Sequence, residues 1–383
     1  MPAFAARGQL LSKGGGGRRK TMTTPKLMKV FVTRRIPEAG LKILTESGIN
    51  LKQERFCRCW KSEQHTQNAG GTQQARQHVW GESCNIQQWD SDEPVPRDKL
   101  LKGVVGAHGL YCMLTDKIDS DILQAAGPCL KVISTLSVGF DHLSLGEIKN
   151  RGIRVGYTPD VLTDSTAELT VALLLATSRR LIEATEEVKN GGWTAWKPLW
   201  MCGHGLAGST VGIVGLGRIG LAIAQRLMPF GVKRFLYTGR QPRPEAAAKI
   251  RAEYVPLNEL AEESDFIVVS CSFSPETKGM CNMDLFSKMK KTAVFINTSR
   301  GAVVNQDDLY KALTTGQIAA AGLDVTDPEP LPTSHPLLSL KNCVILPHIG
   351  SATYATRSTM SVLTANNILA GLKGEPMPSE VKL

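Results

Sequence analysis

Between residues 210 and 227 an apolar strand runs directly into a glycine-rich turn and then a helix, and no other segment limits the possible folds as strongly. Thr210-Val-Gly-Ile-Val precedes Gly215, Gly217 and Gly220, which have the spacing G-x-G-x-x-G. Glycines at these positions permit a tight turn, close approach of a pyrophosphate to the backbone, and packing of the helix on the strand. The segment therefore predicts the first strand–turn–helix unit of a dinucleotide-binding sheet.

Strand and helix patterns alternate along most of the chain, which predicts parallel sheets in an α/β fold. Six strands between residues 211 and 346 should complete a doubly wound sheet. A helix is expected over residues 38–47 and a long one from about Ser165, where Ser165-Thr-Ala-Glu168 has the form of a capping box. The strands are predicted in segments 28–34, 84–89, 106–114, 130–135, 153–156, 210–214, 234–238, 266–271, 293–299, 319–325 and 343–346.

The net charge of +10 lies mainly in two segments, with +6 in residues 1–27 and +2 in residues 48–83. A basic nucleic-acid-binding face on the folded body is therefore not expected. No apolar run approaches the roughly 20 residues that span a bilayer, so no membrane contact is expected either. Nine cysteines without C-x-x-C pairs indicate reduced thiols and favour the cytoplasm. No metal site is predicted, because four possible zinc ligands match no common finger spacing: Cys57, Cys59, His65 and His78.

Two segments do not fit the alternating pattern. Residues 1–27 are basic and Gly-rich, and we expect a disordered extension, with a mitochondrial targeting sequence as the alternative. Residues 48–83 are polar, and Glu46-Ser47 before them is repeated as Glu82-Ser83 at their end. Structureless loops of this length are uncommon inside compact domains. We predict an extra translated segment, such as a retained intron or a gene-model artefact, with a genuine surface insertion as the alternative.

The strand after the glycine turn ends near Thr238, where an NAD-binding sheet would place an Asp or Glu for the ribose hydroxyls. This chain instead has the basic loop Gly239-Arg240-Gln241-Pro242-Arg243. Guanidinium groups form charge-assisted hydrogen bonds with phosphate oxygens, so the loop favours the 2′-phosphate of NADPH over NADH. A solvated basic loop without a ligand is the alternative.

Three reactive side chains follow successive apolar strands late in the chain: Arg300, Glu329 and His348. Open α/β sheets bind ligands outside the carboxyl ends of their strands, so we expect a cation, a carboxylate and an imidazole to meet in one active site. Taken singly, each has another interpretation. Arg300 could be a surface ion-pair partner, Glu329 a turn acid before Pro330, and His348 a capped strand end.

Five ordered motifs resemble those of the D-isomer-specific 2-hydroxyacid dehydrogenases over residues 28–383, apart from the segment 48–83. The resemblance implies a Rossmann coenzyme domain, residues 162–353, inserted into a smaller flavodoxin-like substrate domain, residues 28–161 plus 354–383. The motifs are Ser137-Val-Gly-Phe-Asp141, the turn 215–220, Asn297-Thr-Ser-Arg-Gly-Ala-Val-Val304, Gly322-Leu-Asp-Val-Thr-Asp-Pro-Glu-Pro-Leu331 and Leu346-Pro-His-Ile-Gly-Ser351.

The resemblance also implies residue roles. His348 would donate a proton to a 2-keto acid while the coenzyme gives hydride, Glu329 would orient the imidazole, and Arg300 would bind the substrate carboxylate or carbonyl. The amides of Val138 and Gly139 would take the other carboxylate oxygen. Further substrate contacts would come from Ser351 and from Trp196. The coenzyme would be lined by Gly215, Gly217, Arg218, Ile219, Gly220, Arg240, Gln241, Pro242, Arg243, Ser272, Thr298, Asp324 and Gly350.

The function implied is NADPH-preferring reduction of hydroxypyruvate to D-glycerate and of glyoxylate to glycolate. The alternatives are another 2-keto acid reductase, a phosphoglycerate dehydrogenase, or a dinucleotide-sensing corepressor that resembles the C-terminal-binding-protein family. A homodimer is expected, in which the segment from Gly191 to Trp200 embraces the partner and Trp196 reaches its substrate pocket. The C-terminal Val381-Lys-Leu resembles a peroxisomal signal, so a peroxisomal fraction stays open beside the cytoplasm.

Overall fold

The structure is a computed structural model that describes residues 28–46, 54–56 and 84–383, with the backbone alone for Glu54–Phe56 and Cys84. The predicted extension 1–27 lies outside these residues, as does most of the predicted extra segment 48–83. Three residues of that segment, Glu54–Phe56, form a short strand parallel to the strand Cys84–Trp89. That residues 48–83 are an extra translated segment remains a prediction.

The first sheet has six parallel strands, ordered β2-β3-β1-β4-β5-β6. Apart from the edge strand β2 this is the flavodoxin-like order, as expected. The strands are β1 (Met28–Val32), β2 (Glu54–Phe56), β3 (Cys84–Trp89), β4 (Gly109–Cys112), β5 (Val132–Thr135) and β6 (Arg154–Gly156). The helices are α1 (Glu38–Glu46), α2 (Arg97–Gly103), α3 (Ser120–Ala126) and α4 (Leu145–Asn150).

The second sheet has seven parallel strands, ordered β13-β12-β11-β10-β7-β8-β9. Strand order reverses between β7 and β10, the point at which doubly wound sheets bind dinucleotides. The strands are β7 (Thr210–Val214), β8 (Arg234–Thr238), β9 (Glu253–Tyr254), β10 (Phe266–Val269), β11 (Val294–Asn297), β12 (Ala320–Leu323) and β13 (Cys343–Ile345). The helices of this part are α5 (Thr163–Ser178), α6 (Leu181–Lys189), α7 (Arg218–Leu227), α8 (Pro244–Ala248), α9 (Leu257–Glu263), α10 (Met283–Phe286) and α11 (Gln306–Thr314), and the chain ends with helix α12 (Tyr354–Lys373).

The apolar runs of the second sheet are buried on both faces. Every residue of β10 and β11 is buried, as expected for parallel strands covered by helices on either side. One apolar cluster joins this sheet to α9, α10 and α11, and another joins it to α5 and α7. The carboxyl ends of the strands are therefore set in a rigid layer.

Helix α12 returns the chain to the first sheet. It packs against α1 and β5, and Ile368 and Leu372 share an apolar cluster with Val30 and Val132. The seven-stranded part is thus inserted into the chain that builds the six-stranded part, which confirms the expected fold class. The predicted domain boundaries at residues 161/162 and 353/354 stay a prediction. None of the helices within the described ranges is both long and apolar enough to cross a membrane.

Several local expectations were wrong. Helix α5 begins at Thr163, and the Ser165 hydroxyl lies inside it and donates to the Leu162 carbonyl at 3.1 Å, so the expected capping box does not form. The second sheet has seven strands, not six, because Glu253–Tyr254 adds a two-residue edge strand. Its two residues are both exposed, and so short a segment has no apolar periodicity from which to predict it.

Candidate active site

Three strands of the second sheet lead to one cavity of about 200 Å³. β11 ends three residues before Arg300, β12 leads into the turn that contains Glu329, and β13 ends three residues before His348. All three predicted side chains line this cavity. We call Arg300, Glu329 and His348 the charged wall. The first sheet contributes Leu114 and Asp141 to the same cavity, so the site lies between the two sheets.

His348 and Glu329 form a directly bonded pair. The Nδ1 of His348 lies 2.8 Å from Oε2 of Glu329, whose Oε1 accepts the Thr326 amide at 3.1 Å. Burial alone would raise the pKa of Glu329, but the hydrogen bond and positive charge of His348 and the Thr326 amide hold it below its usual value. His348 has a left-handed backbone with φ 55°; such strain in a non-glycine residue is concentrated at functional sites. The pair leaves Nε2 of His348 for a ligand.

Arg300 is fixed by contacts on both sides of the cavity. The side-chain Nδ2 of the buried Asn297 donates to the Arg300 carbonyl at 2.9 Å. The guanidinium donates through Nε to Asp141 at 3.1 Å and through Nη1 to the Ser299 carbonyl at 2.9 Å. Arg300 thus spans from the second sheet to a loop of the first.

That loop, residues 135–142, meets the charged wall at Arg300, which lies against Gly139, and we call it the amide wall. Of its residues, Asp141 lines the cavity, whereas the predicted Val138 and Gly139 do not. The Thr135 and Ser137 hydroxyls lie 2.8 Å apart, and Ser137 donates to the Gly139 carbonyl at 2.7 Å. Nε2 of His142 lies 3.0 Å from the Thr135 hydroxyl. Within the described residues, the amides of Val138 and Gly139 donate to no protein group. The wall therefore presents unused N–H donors on a fixed backbone.

The glycine turn has the geometry that a pyrophosphate site requires. Gly215 has φ 98°, and a Cβ there would lie 2.7 Å from the Cα of Cys271. A Cβ on Gly220 would collide with the Gly215 carbonyl, whereas one on Gly217 would meet nothing within 4 Å. The first and third glycines are therefore needed for packing, and the second faces open space. The turn leads into the amino end of the ten-residue α7, where an anion is favoured.

Arg218, the first residue of α7, is paired with Asp160. Its Nε lies 3.0 Å from Oδ1 of Asp160, a residue that also has a left-handed backbone with φ 69°. Asp160 precedes α5 and follows the first sheet. Like the pair of Arg300 and Asp141, this ion pair joins the part of the chain that builds the second sheet to a segment that follows the first.

Two tyrosines hold the basic loop. The Tyr237 hydroxyl accepts the Arg243 amide at 3.0 Å, and the Tyr254 hydroxyl donates to the Gly239 carbonyl at 2.9 Å. Their rings pack edge to face with centroids 5.3 Å apart. The loop residues themselves, Arg240, Gln241, Pro242 and Arg243, are exposed. The backbone is thus fixed while the two guanidinium groups remain accessible.

Comparison with known proteins agrees with this geometry. Residues 171–350 match the family described as "D-isomer specific 2-hydroxyacid dehydrogenase, NAD binding domain". A Homo sapiens protein named glyoxylate reductase/hydroxypyruvate reductase is 65% identical over 362 residues, which cover 94% of this chain and all of the relative. The chain belongs to the D-isomer-specific 2-hydroxyacid dehydrogenase family.

Relatives and solved structures of this dehydrogenase family extend across distant organisms. A glyoxylate reductase of Thermococcus kodakarensis is 41% identical and covers 92% of this chain and 96% of its own. The crystal structure of the TT0316 protein from Thermus thermophilus superposes with a TM-score of 0.78 at 39% identity, covering 93% of this chain and all of that chain. An NADPH-dependent glyoxylate/hydroxypyruvate reductase from Sinorhizobium meliloti, solved with NADP and malonate, has a TM-score of 0.71 at 30% identity, covering 93% and 97%.

The other predicted coenzyme residues of the dehydrogenase lie along the carboxyl edge of the second sheet. The Thr298 hydroxyl lies 2.9 Å from that of Thr170. Asp324 is almost fully buried and accepts the Ile349 and Gly350 amides, each at 2.8 Å. Burial raises the pKa of Asp324 in spite of these bonds. Ile219 and Ser351 are partly buried and Ser272 is exposed, and the Ser351 carbonyl accepts the Thr353 amide.

Sequence reasoning missed some residues of the dehydrogenase site. Asp141 lies inside the motif 137–141, where no role was predicted for it, and a carboxylate soon after the predicted strand 130–135 could have suggested one. Leu114 and Phe273 line the cavity, yet apolar residues at strand ends give no sequence signal. Trp196 is not in the cavity; its side chain is 83% exposed. No group of three or more His, Cys, Asp or Glu in the described ranges is placed to hold a metal ion.

Proposed function

We propose that this dehydrogenase reduces hydroxypyruvate to D-glycerate and glyoxylate to glycolate, with NADPH preferred over NADH. One observation supports the chemistry above all: the bonded His348–Glu329 pair and the Arg300 guanidinium line one cavity at the carboxyl edge of the second sheet. The names of the human, archaeal and bacterial relatives support the choice of substrates.

The residues present fit a nicotinamide dinucleotide. The open space at Gly217 and the amino end of α7 suit the pyrophosphate, and Asp324 would lie near the nicotinamide. When bound, the reduced coenzyme supplies the hydride that adds to the substrate carbonyl carbon. Gly215, Ile219, Gly220, Ser272, Thr298 and Gly350 would line the same groove.

The protein's own contribution is to bind the keto acid and to give a proton. Arg300 and the amides of Val138 and Gly139 would hold the carboxylate, because unused N–H donors from both walls are available to it. His348 would donate its Nε2 proton to the carbonyl oxygen, since Nδ1 is already bonded to Glu329. Ser351 would add a hydroxyl contact. Glu329 would orient the ring and stabilise its charged form.

The preference for NADPH rests on Arg240 and Arg243, which stand where an acidic residue would bind the ribose hydroxyls. We propose that both bind the 2′-phosphate, with Gln241 and Pro242 forming the rest of the loop. Replacing both arginines by serine should lower kcat/KM for NADPH at least tenfold and leave that for NADH within about threefold, because each charged contact with phosphate contributes strongly.

The experiment is a matrix of steady-state rates for hydroxypyruvate, glyoxylate and pyruvate with each coenzyme. Hydroxypyruvate and glyoxylate should be turned over fastest. A clear preference for pyruvate would favour another 2-keto acid reductase, and negligible turnover of all three would favour a corepressor. If kcat/KM falls equally with both coenzymes in the double arginine variant, the 2′-phosphate assignment is refuted, and the proposed substrates are unaffected.

A homodimer is part of the proposal. The segment 190–200 and helix α6 expose a set of large apolar side chains that a partner subunit would cover. They are Leu181, Ile182, Val188, Trp193, Trp196 and Leu199. Trp196 would reach the partner's substrate cavity. Trp196→Ala should lose discrimination between keto acids while sedimentation still reports a dimer; unchanged kinetics would exclude this role. A cytoplasmic location belongs to the same proposal and can be checked by imaging the full chain.

A further inference from the structure

We propose that Asp141 is a positioning residue for the reduction: from the amide wall it holds Nε of Arg300, so that Nη2 of the guanidinium faces the substrate carboxylate. This inference rests on the proposed function, because it assumes that Arg300 binds a keto acid. Asp141 itself would not touch the substrate or the coenzyme.

The contact joins two parts of the chain that are far apart in sequence. Nε of Arg300 lies 3.1 Å from Oδ1 of Asp141 and 3.4 Å from Oδ2. Arg300 follows β11 of the second sheet, whereas Asp141 follows β5 of the first. The ion pair therefore crosses the cavity and fixes the arginine from the wall opposite its own strand.

Some N–H groups of the Arg300 guanidinium are already hydrogen-bonded within the protein, and the others are available to a ligand. Arginine has five N–H donors in a fixed planar fork. Nε is used by Asp141, and one hydrogen of Nη1 is used by the Ser299 carbonyl. Nη2 donates to no protein group among the described residues. Bonding at Nε and Nη1 thus fixes the plane of the fork and leaves Nη2 unused.

Nη2 lies directly beside the amide wall. A Cβ added to Gly139 would collide with Nη2 of Arg300 and would also approach Oδ1 of Asp141, at 2.9 Å. The unused amides of Val138 and Gly139 are on the same short loop as Asp141. One carboxylate could therefore receive a charged donor from Arg300 and neutral donors from the loop at a single place.

The Asp141 carboxylate is itself on a stiff support. The Ser137 and Thr135 hydroxyls tie the loop to the Gly139 carbonyl and to His142. The neighbouring Phe140 ring packs edge to face on Tyr157, with centroids 5.8 Å apart. A fixed anion at the end of this loop can define the position of Arg300, whereas a mobile one could not.

The negative charge of Asp141 leads us to expect a particular change in KM and kcat when it is removed. A carboxylate beside Arg300 weakens the attraction of the guanidinium for an anionic substrate, but it orients the fork. Its removal should leave KM for the keto acid unchanged or lower it, while kcat falls because fewer complexes have the reactive geometry. Both partners are about one-quarter to one-third exposed, so the pair should contribute little to folding stability.

The test compares Asp141→Ala, Asp141→Asn, Arg300→Lys and the combined variants, with hydroxypyruvate and NADPH. Asp141→Ala should lower kcat at least tenfold with KM no higher than that of the wild type. Asp141→Asn should recover part of the loss, because its carbonyl can still accept from Nε. When Arg300 is already replaced by lysine, either change at Asp141 should lower kcat by less than about threefold further, because the effects of coupled residues are non-additive. If Asp141→Ala does not fold, Asp141→Asn takes its place in the comparison of single and combined variants.

The control is Asp164→Asn, which removes an exposed carboxylate 2.8 Å from Arg226 outside the cavity and should leave kcat and KM unchanged. A rise in KM at constant kcat, a change in kcat below twofold, or full additivity with Arg300→Lys would overturn the positioning role. If Arg300→Lys alone has no effect, the proposed function of Arg300 fails instead. The two failures are thus distinguishable.

Discussion

The two walls of the cavity are built on different physical principles. The charged wall consists of side chains at the carboxyl ends of strands, where Arg300, Glu329 and His348 follow β11, β12 and β13. The amide wall, residues 135–142, offers backbone N–H groups on a loop held by hydroxyl hydrogen bonds. An imidazole such as that of His348 can give up a proton, whereas a backbone N–H group cannot.

In the function we propose, this difference gives the walls different tasks. Proton donation requires a side chain with a transferable proton, and we propose His348, bonded to Glu329, for that task. Recognition of a carboxylate requires fixed donors that do not reorganise, and backbone amides on a stiff loop meet that need. Changes in the charged wall should therefore act on proton transfer, while changes in the amide wall should act on turnover through the position of Arg300, or on stability.

Glu329→Gln should have the largest effect of the three variants that follow. The amide can still lie beside His348, but the negative charge that stabilises the charged imidazole is lost. We expect kcat for hydroxypyruvate to fall about 100-fold with little change in KM for NADPH, as is typical when general acid catalysis is impaired. The control is Glu147→Gln, since Glu147 is similarly exposed and pairs with Arg151 far from the cavity. Equal kcat in both variants would contradict the account.

Gly139→Ala should have an intermediate effect, because the new Cβ would collide with Nη2 of Arg300. The guanidinium must then move away from the amide wall, and we expect kcat/KM for hydroxypyruvate to fall about tenfold or more, since small misplacements of a binding group are costly. Gly146→Ala is the matched control, as its Cβ would meet nothing within 4 Å. If Gly139→Ala reduces the keto acid as well as Gly146→Ala does, the two walls do not meet as described.

His142→Gln should change stability more than activity. Burial lowers the pKa of His142 to about 4, with Arg300 adding to this and Asp141 opposing it. The unfolded chain takes up a proton near pH ~6.5, whereas the folded chain does so only near 4. The wild type should therefore lose stability as pH falls through this window, by at most about 3 kcal/mol from this group.

Denaturant unfolding at pH 7 and pH 4.5 measures this difference. The free energy of unfolding should fall less between the two pH values in His142→Gln than in the wild type. Because the new amide can still bond to Thr135, kcat should stay within about threefold of the wild type. If His142→Gln loses as much stability as the wild type between pH 7 and pH 4.5, then the pKa of His142 is not lowered by folding and the prediction is wrong.

Much of the second sheet and its charged wall could be predicted from sequence. Buried parallel strands are continuous apolar runs, and the polar residues that follow them must lie at one edge, so Arg300, Glu329 and His348 could be placed together. The glycine turn could be predicted because only glycine tolerates its backbone and close contacts.

Other features depend on contacts between distant segments and could not be predicted from local sequence. Asp141 meets Arg300 across 159 positions of sequence, and Asp160 meets Arg218 in a similar way. The start of α5 was misplaced because the pattern at Ser165 satisfies a capping box equally well inside a helix. β9 was missed because its pairing with β8, not its composition, makes it a strand.

The central claim is the proposal that His348 on the charged wall donates the proton to the substrate. The most direct test is the pH dependence of kcat for hydroxypyruvate reduction with saturating NADPH in the wild type and in His348→Gln. For a proton donor, wild-type kcat should fall as the pH rises and the donor loses its proton, and the variant should be slow with no such alkaline decline. An alkaline decline that persists unchanged in His348→Gln would contradict the account.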